Sequence, residues 1–108
     1  MLRYVILEHH WYGIHYDLML EHQHVLQTWR LETPLTVGNM PAVLLPDHRL
    51  EYLTYEGPIS GNRGNVRRVA EGTYTQLAGP LNQYVLSGTN NGPASREIPV
   101  PITGTART

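Results

Sequence analysis

Apolar and polar residues alternate along much of this chain, and the alternation predicts β-strands. The clearest example is residues 15–20, where aromatic or aliphatic side chains take every even position. Such a two-residue period places one set of side chains on each face of a strand. The alternation resumes over residues 25–31, so the two segments predict a β-hairpin that turns at residues 22–24.

Further strand candidates are short and are separated by turn signals. They lie at residues 4–7, 42–45, 50–56, 66–70, 72–75 and 83–87. The strand at 42–45 is expected to end at Pro46, and residues 33–41 and the glycine-rich residues 57–65 are predicted as loops. Because no segment keeps a helical period, the chain is expected to be all-β, either a sandwich or a closed barrel.

The composition narrows the possible chemistry. A chain of 108 residues is long enough for one domain, and its formal net charge of −1 gives no overall attraction to nucleic acid or membranes. All eight basic residues are Arg, and Cys is absent. Lysine nucleophiles, disulfides and thiolate zinc sites are therefore excluded. The six His residues become the main source of metal ligands and of general acids or bases.

The sequence carries no apolar run that approaches the length of a membrane span. Residues 1–4 lead directly into a strand-like segment and lack the pattern of a signal peptide. We therefore expect a soluble cytoplasmic protein with no membrane partner.

His9, His15 and Asp17 form a candidate metal site. His15 and Asp17 are two residues apart, so they project from the same side of a strand. His9 precedes a short glycine-containing loop and can fold back onto them, with His10 as the alternative ligand. Two imidazoles and one carboxylate are an open ligand set for Mn²⁺, Fe²⁺ or Zn²⁺. His48, at the end of a later predicted strand, is a fourth candidate.

Two further features have both a functional and a structural interpretation. Trp11 and Tyr12 lie in the loop between the candidate ligands and could stack on a terminal base or ribose, or could pack at the rim of the core. Arg63, Arg67 and Arg68 form the densest basic cluster and could contact a nucleic-acid backbone or face solvent.

Several sequence blocks occur in an order typical of a known family. They are Glu-His-His-x4-His-Tyr-Asp-Leu-x-Leu-Glu at 8–21, Val-Leu-x2-Trp at 25–29, Asp-His-x-Leu-Glu-Tyr at 47–52 and Tyr-Glu-Gly-x-Ile at 55–59. In this order they resemble the 3′-phosphoesterase domain of bacterial DNA ligase D, which also occurs as a stand-alone protein. The resemblance extends over residues 4–74.

The resemblance implies a compact, single-domain β-barrel. We assign this phosphoesterase-like barrel to residues 1–87. A Gly-, Pro- and Thr-rich extension is expected over residues 88–108, with one edge strand at Ile98–Val100.

The resemblance also implies a Mn²⁺-dependent hydrolase, with Zn²⁺ or Co²⁺ as other possible ions. Family members remove a 3′-phosphate, or a 3′-terminal ribonucleoside and then its phosphate, during DNA repair. The family's metal ligands match His9, His15 and Asp17, and its phosphate-contacting histidine matches His48. The implied partners are the 3′ ends of DNA or of an RNA–DNA primer-template, together with DNA-repair proteins. We expect a monomer.

Two positions depart from the family pattern. The family motif His-Tyr-Asp-Phe-Arg ends in an Arg that binds the scissile phosphate, and Met19 stands at that position. Met40 stands where a second family Arg falls. A thioether cannot supply the charge-assisted contacts that hold a phosphate.

Arg30 or Arg49 is the predicted replacement for the missing phosphate contacts. A hairpin in which Glu21 pairs with Leu26 places Arg30 opposite Asp17, on the face of the candidate site. Arg49 directly follows the candidate histidine. The alternatives for Arg30 are an ion pair with Asp17 or Glu21, or simple exposure to solvent.

Two rival functions remain open. The loss of both family arginines favours a non-catalytic module that binds a metal and a phosphate end or a partner protein, whereas retention of the three ligands and His48 favours an enzyme. The other rival is a metal enzyme for a small nucleotide phosphate, which suits a nearly neutral chain.

Overall fold

Eight β-strands make up most of the residues described by the computed structural model, which are 2–31, 40–78, 82–89 and 95–106. The strands are β1 (Arg3–His10), β2 (Ile14–His22), β3 (Val25–Leu31), β4 (Met40–Arg49), β5 (Gly57–Pro58), β6 (Asn65–Gln76), β7 (Asn82–Thr89) and β8 (Ser95–Ala106). A 3₁₀ helix, Leu50–Leu53, follows β4. The all-β prediction is confirmed. Within the described ranges, no helix is long and apolar enough to cross a membrane.

The sheet curls round on itself. Its strands pair in the order β1-β2-β3-β4-β8-β7-β6, and β6 pairs back with β1. The β4–β8 pair is parallel, and the other neighbours are antiparallel. This architecture agrees with the predicted compact β-barrel of one domain.

β2 and β3 form the predicted hairpin in the predicted register. Glu21 pairs with Leu26, and Asp17 pairs with Arg30. Gln23, in the two-residue turn, has a φ of 49°, which is the left-handed conformation that tight hairpin turns need. Because of this register, Asp17 and Arg30 lie side by side on one face of the sheet.

The two faces of the first strands pack into separate hydrophobic clusters. The first cluster contains Tyr4, Ile6, Leu18, Leu20, Trp29, Leu31, Ala42, Ala70, Tyr74, Tyr84 and Leu86. The second contains Val5, Leu7, Met19, Leu26, Leu53 and Val66. Residues of the 50–59 segment cover this second cluster. By strand alternation, the candidate ligands lie on the second face, so this segment forms one wall beside them.

β4 is longer than predicted. It continues through Pro46 to Arg49, and the prediction that the strand ends at Pro46 is wrong. The register between β3 and β4 shifts between Leu26 and Thr28, and such a bulge accommodates a proline, which has no N–H for the ladder. His48 is therefore held inside a strand, opposite Leu26.

Residues 50–53 form the 3₁₀ helix, so the strand predicted over 50–56 is wrong. In a 3₁₀ helix, side chains three residues apart lie on the same side. Leu50 and Leu53 have this spacing, and both contact the second cluster. Alternation over so few residues does not distinguish this arrangement from a strand.

The later strands are longer than the sequence indicates. Residues 66–70 and 72–75, predicted as separate strands, belong to the single strand β6. Gly72 lies in the middle of this strand. A side chain is excluded there, because a Cβ at Gly72 would stand 2.0 Å from the carbonyl oxygen of Ser87 on β7. The backbones of β6 and β7 therefore approach closely at a position that only glycine fits.

β8 lies where the sequence predicts an extension with one edge strand at Ile98–Val100. The strand spans residues 95–106 and has β7 on one side and β4 on the other, so the edge-strand prediction is wrong. Its two neighbours supply hydrogen bonds that a Pro- and Gly-rich composition does not reveal. The domain boundary at residue 87 stays a prediction, and residues 33–39 of the predicted loop lie outside the described residues.

Candidate metal centre

Three candidate ligands converge where β1 and β2 meet beside their connecting turn. His9 and His15 are direct cross-strand partners, and Asp17 follows on the same face of β2. The ligand atoms all lie within 4.8 Å of one another. His9 Nδ1 is 2.9 Å from His15 Nε2 and 4.0 Å from Asp17 Oδ2. The structure thus brings together the three residues predicted as metal ligands.

A backbone contact fixes the orientation of the His9 ring. Its Nε2–H donates a hydrogen bond to the carbonyl oxygen of Arg63 at 2.8 Å. In a neutral imidazole this leaves Nδ1 with the lone pair, and Nδ1 is the nitrogen that faces His15 and Asp17. Metal-binding histidines commonly carry such an outer hydrogen bond. The donor set therefore fits a divalent ion.

The charges around the cluster favour metal ligation. Burial lowers the pKa of His15, and the nearby Arg30 guanidinium lowers it further. A neutral imidazole is the form that binds a metal. The Asp17 carboxylate, whose side chain is only 4% exposed, accepts a hydrogen bond from Arg30 Nε at 3.1 Å. The cluster therefore combines the His15 imidazole, which burial favours in its neutral form, with one buried carboxylate paired to Arg30.

A cleft of about 170 Å³ opens beside this cluster. Its polar lining consists of His9, Asp17, Arg30, His48 and Arg63, and its other walls include Trp11, Met19 and Tyr52. His48 Nδ1–H donates to the carbonyl oxygen of Pro46 at 2.9 Å, which leaves Nε2 for another partner. One cleft therefore contains the predicted histidine His48, the predicted arginine Arg30 and two of the candidate ligands.

Two other candidates lie elsewhere. Arg49 lines a neighbouring pocket, and its Nε is 2.8 Å from a carboxylate oxygen of Glu51, with both side chains mostly exposed. His10, the alternative ligand, bonds through Nε2 to a carboxylate oxygen of Glu8 at 2.6 Å. On a strand, His10 and His9 point to opposite faces, so the structure favours His9 in the cluster.

Tyr52 is a cleft residue that the sequence reasoning missed. Its ring lies edge-on to the His48 ring, with centroids 5.9 Å apart. It is four residues after His48, in the same Asp-His-x-Leu-Glu-Tyr block, and the 3₁₀ helix turns it back into the cleft. That shared block is the signal that could have identified it.

The basic cluster predicted at residues 63–68 is dispersed. Arg67 forms an ion pair with Glu8, whereas Arg68 pairs with Glu56 and Glu71. Consecutive residues of β6 point to opposite faces, which explains the separation. Arg63 alone of the three lines the cleft.

Replacing Gly64 by Ala is expected to weaken metal binding through His9. Gly64 has a φ of +76°, and a Cβ there would lie 1.9 Å from the carbonyl oxygen of His10. The clash must push this segment away from β1, which breaks the hydrogen bond from His9 to the Arg63 carbonyl. Loss of such an outer contact weakens metal affinity by about 10- to 100-fold, measurable by titration calorimetry with Mn²⁺.

Gly61→Ala is the matched control. Gly61 also has a left-handed φ, of +77°, but the nearest atom to its Cβ is Arg63 Nε at 3.5 Å. This variant carries the same backbone strain without the clash, so its Mn²⁺ affinity should stay within about two-fold of the wild type, because a strained backbone in an exposed turn changes stability rather than the ligand set. Equal losses in both variants would contradict the prediction.

Comparisons with known proteins agree with the resemblance that the sequence blocks indicate. The family model described as the DNA Ligase D 3′-phosphoesterase domain matches residues 7–106. The multifunctional non-homologous end joining protein LigD of Mycobacterium bovis is 45% identical over an alignment of 65 positions, which covers 56% of this chain and 9% of that protein. LigD of Mycolicibacterium smegmatis is 42% identical over an alignment of 60 positions, which covers 53% of this chain and 8% of that protein. The matched region thus spans about a tenth of these relatives.

Proposed function

Because this chain belongs to the family of DNA ligase D 3′-phosphoesterase domains, we propose that it is a metal-dependent hydrolase that trims the 3′ ends of nucleic acid during DNA repair. The observation that carries the proposal is that two members of the His9–His15–Asp17 cluster, His9 and Asp17, line one cleft together with His48. The proposed substrates are the 3′-phosphate and the 3′-terminal ribonucleoside of DNA or of an RNA–DNA primer-template. The proposed setting is the cytoplasm, with a monomer acting beside other repair proteins.

His9 Nδ1, His15 Nε2 and the Asp17 carboxylate are the atoms that would hold the ion. A divalent ion there supplies Lewis-acid stabilisation of charge that develops on the phosphate oxygens. Mn²⁺ is the proposed ion, and the same donors also accept Zn²⁺ or Co²⁺. The Arg63 carbonyl and the Arg30 guanidinium hold His9 and Asp17 in place.

His48 is the proposed acid of the reaction. Water attacks phosphorus and loses a proton to solvent, the bond between phosphorus and the 3′ oxygen breaks, and that oxygen gains a proton. A protonated His48 can give it from Nε2, because Nδ1 is already committed to the Pro46 carbonyl. A hydrogen bond from the same Nε2–H to a phosphate oxygen is the other role compatible with this geometry.

Arg30 is the proposed phosphate-binding residue in place of the family arginine at position 19. It lines the cleft, and its side chain is 33% exposed. A guanidinium has five N–H donors, so contact with Asp17 through Nε and Nη2 still leaves donors for a phosphate. Arg49, in its separate pocket, is the weaker candidate.

A second candidate function is a binding module that holds a phosphate end without turnover. The observation that favours it is Met19, which is only 2% exposed and gives the cleft an apolar wall where the family has an arginine. The cluster of ligands would be retained in both cases.

Conversion of a 3′-phosphorylated primer-template to a 3′-hydroxyl product tests the proposal. The full chain with Mn²⁺ is expected to release phosphate, and His48→Ala should lower the rate by about 100- to 10,000-fold, the usual contribution of a positioned acid. His24→Ala, at the exposed β2–β3 turn, is the control and should have wild-type activity. Binding of the oligonucleotide and Mn²⁺ without any phosphate release would favour the binding module.

A further inference from the structure

The β1–β2 turn exposes an unusual set of large side chains. The turn consists of Trp11, Tyr12 and Gly13, and lies between the paired residues His10 and Ile14. Tyr12 is 96% exposed and Trp11 is 39% exposed. Tyr12 also has a φ of 54°, a conformation that a bulky residue seldom adopts. The fold thus holds an aromatic ring in solvent at a conformational cost, and the barrel core gains nothing from it.

These rings form a continuous surface that starts at the candidate metal ligands. The indole of Trp11 stacks on the imidazole of His9, with ring centroids 6.0 Å apart and planes 22° apart. The ring of Tyr12 follows at 5.4 Å from that of Trp11 and is tilted by 52° to it, so the indole supplies the flat face and Tyr12 flanks it. Trp11 lines the same cleft as Asp17 and His48. The aromatic surface therefore leads outward from the point where a phosphate would bind.

The overall charge of the chain gives this surface little attraction for nucleic acid. The chain has a net charge of −1. Ion pairs occupy Arg30, Arg49, Arg67 and Arg68. Proteins that bind single-stranded ends combine backbone charges with aromatic stacking of the bases. Arg30 keeps donors beyond its contact with Asp17 and Arg63 lines the same cleft, so stacking would add to their contacts with the phosphate.

We propose that Trp11 and Tyr12 form a stacking platform for the nucleobase of the 3′-terminal nucleotide. This inference rests on the proposed function and adds a binding determinant to it. Every nucleobase has a π-face, so the platform accepts all bases without reading their identity. Its occupant is a base attached to the phosphate end, because the aromatic surface is continuous with the cleft that holds His9, Asp17 and His48.

The test compares two oligonucleotides that both end in a 3′-phosphate. One has a normal terminal nucleotide, and the other has a stable abasic analogue at that position. Binding to the full chain is followed by anisotropy of a 5′ dye. The wild type should bind the normal end about ten-fold more tightly, in line with the energy of one base–aromatic stack. Trp11→Ala should bind both oligonucleotides equally, at the affinity of the abasic end.

Control variants separate stacking from other effects. Trp11→Phe should keep most of the preference for the normal end, because its ring still stacks. Ile14→Ala removes an aliphatic side chain, 53% exposed, from the first residue of β2 beside the turn, and should keep the full preference. Tyr12→Ala should reduce the preference for the normal end, and this variant tests the platform even if Trp11→Ala is poorly folded. Quenching of tryptophan fluorescence reports on Trp11, since Trp29 is buried.

The outcomes distinguish the inference from the proposed function. Equal affinity of the wild type for the two ends overturns the platform, whereas phosphate release would still support the proposed function. A preference for the normal end without phosphate release supports the platform and contradicts the proposed hydrolase activity. A change of sedimentation in Trp11→Ala without oligonucleotide would assign the turn to contact between copies of this chain and overturn the inference.

Discussion

Replacing Asp17 by Asn is expected to abolish both metal binding and phosphate release. The carboxylate of Asp17 is the only anionic donor of the His9–His15–Asp17 cluster, and its side chain is 4% exposed. An amide keeps the shape but donates weakly to a divalent ion. Loss of an outer contact alone typically costs 10- to 100-fold in affinity, so loss of a ligand should exceed about 100-fold.

Thermal unfolding gives a readout that does not depend on activity. An ion present at about 100 times its dissociation constant stabilises the native state by about 2.7 kcal/mol. The wild type should therefore unfold at a higher temperature when Mn²⁺ is added, and Asp17→Asn should show no such rise. The His24→Ala variant at the exposed turn should behave as the wild type. An undiminished rise in Asp17→Asn would contradict the assignment of Asp17 as a ligand.

The candidate metal ligands and Arg30 could be predicted from the sequence because their geometry is local. Alternation fixes which side chains of β2 share a face, and the hairpin register then places Arg30 opposite Asp17. The turn of three residues between His10 and Ile14 brings His9 across from His15. Each of these steps depends on neighbours within one or two strands.

The remainder of the site depends on contacts between distant parts of the chain. The carbonyl that orients His9 belongs to Arg63, 54 residues away, and a backbone acceptor leaves no mark on the sequence pattern. Tyr52 enters the cleft only because residues 50–53 form a 3₁₀ helix, which packs Leu53 on the second cluster. β8 likewise depends on two partners, β4 and β7, that its own composition does not reveal.

Arg30→Ala is expected to lower phosphate release by about 100-fold at saturating Mn²⁺. A charge-assisted hydrogen bond contributes about 1.5–3 kcal/mol, and a bidentate contact with a phosphate falls at the upper end. Arg30→Lys should recover only part of the rate, since an ammonium cannot make that paired contact. Rates for both variants come from the primer-template assay, with Mn²⁺ affinity measured separately by calorimetry.

The control experiment separates phosphate binding from support of Asp17. Arg30 contacts both carboxylate oxygens of Asp17, at 3.1 and 3.5 Å, so its loss could act on the metal alone. In that case excess Mn²⁺ would restore the rate of Arg30→Ala, and the assignment of Arg30 to the phosphate would be wrong.

Met19→Arg in the Arg30→Ala background tests the same assignment by gain of function. Met19 is paired with Thr28, two residues along the hairpin from the Asp17–Arg30 pair and on the same face, and it lines the cleft. An arginine there could reach the same phosphate by another path, so the double variant should recover at least about ten-fold of the lost rate, equivalent to one charge-assisted contact. The substitution charges a side chain that is 2% exposed, so its unfolding temperature must be measured alongside. Recovery would mean that a guanidinium from either strand can bind the phosphate in this cleft. The phosphate contact that the family makes from position 19 on β2 would then be made in this chain by Arg30 on β3.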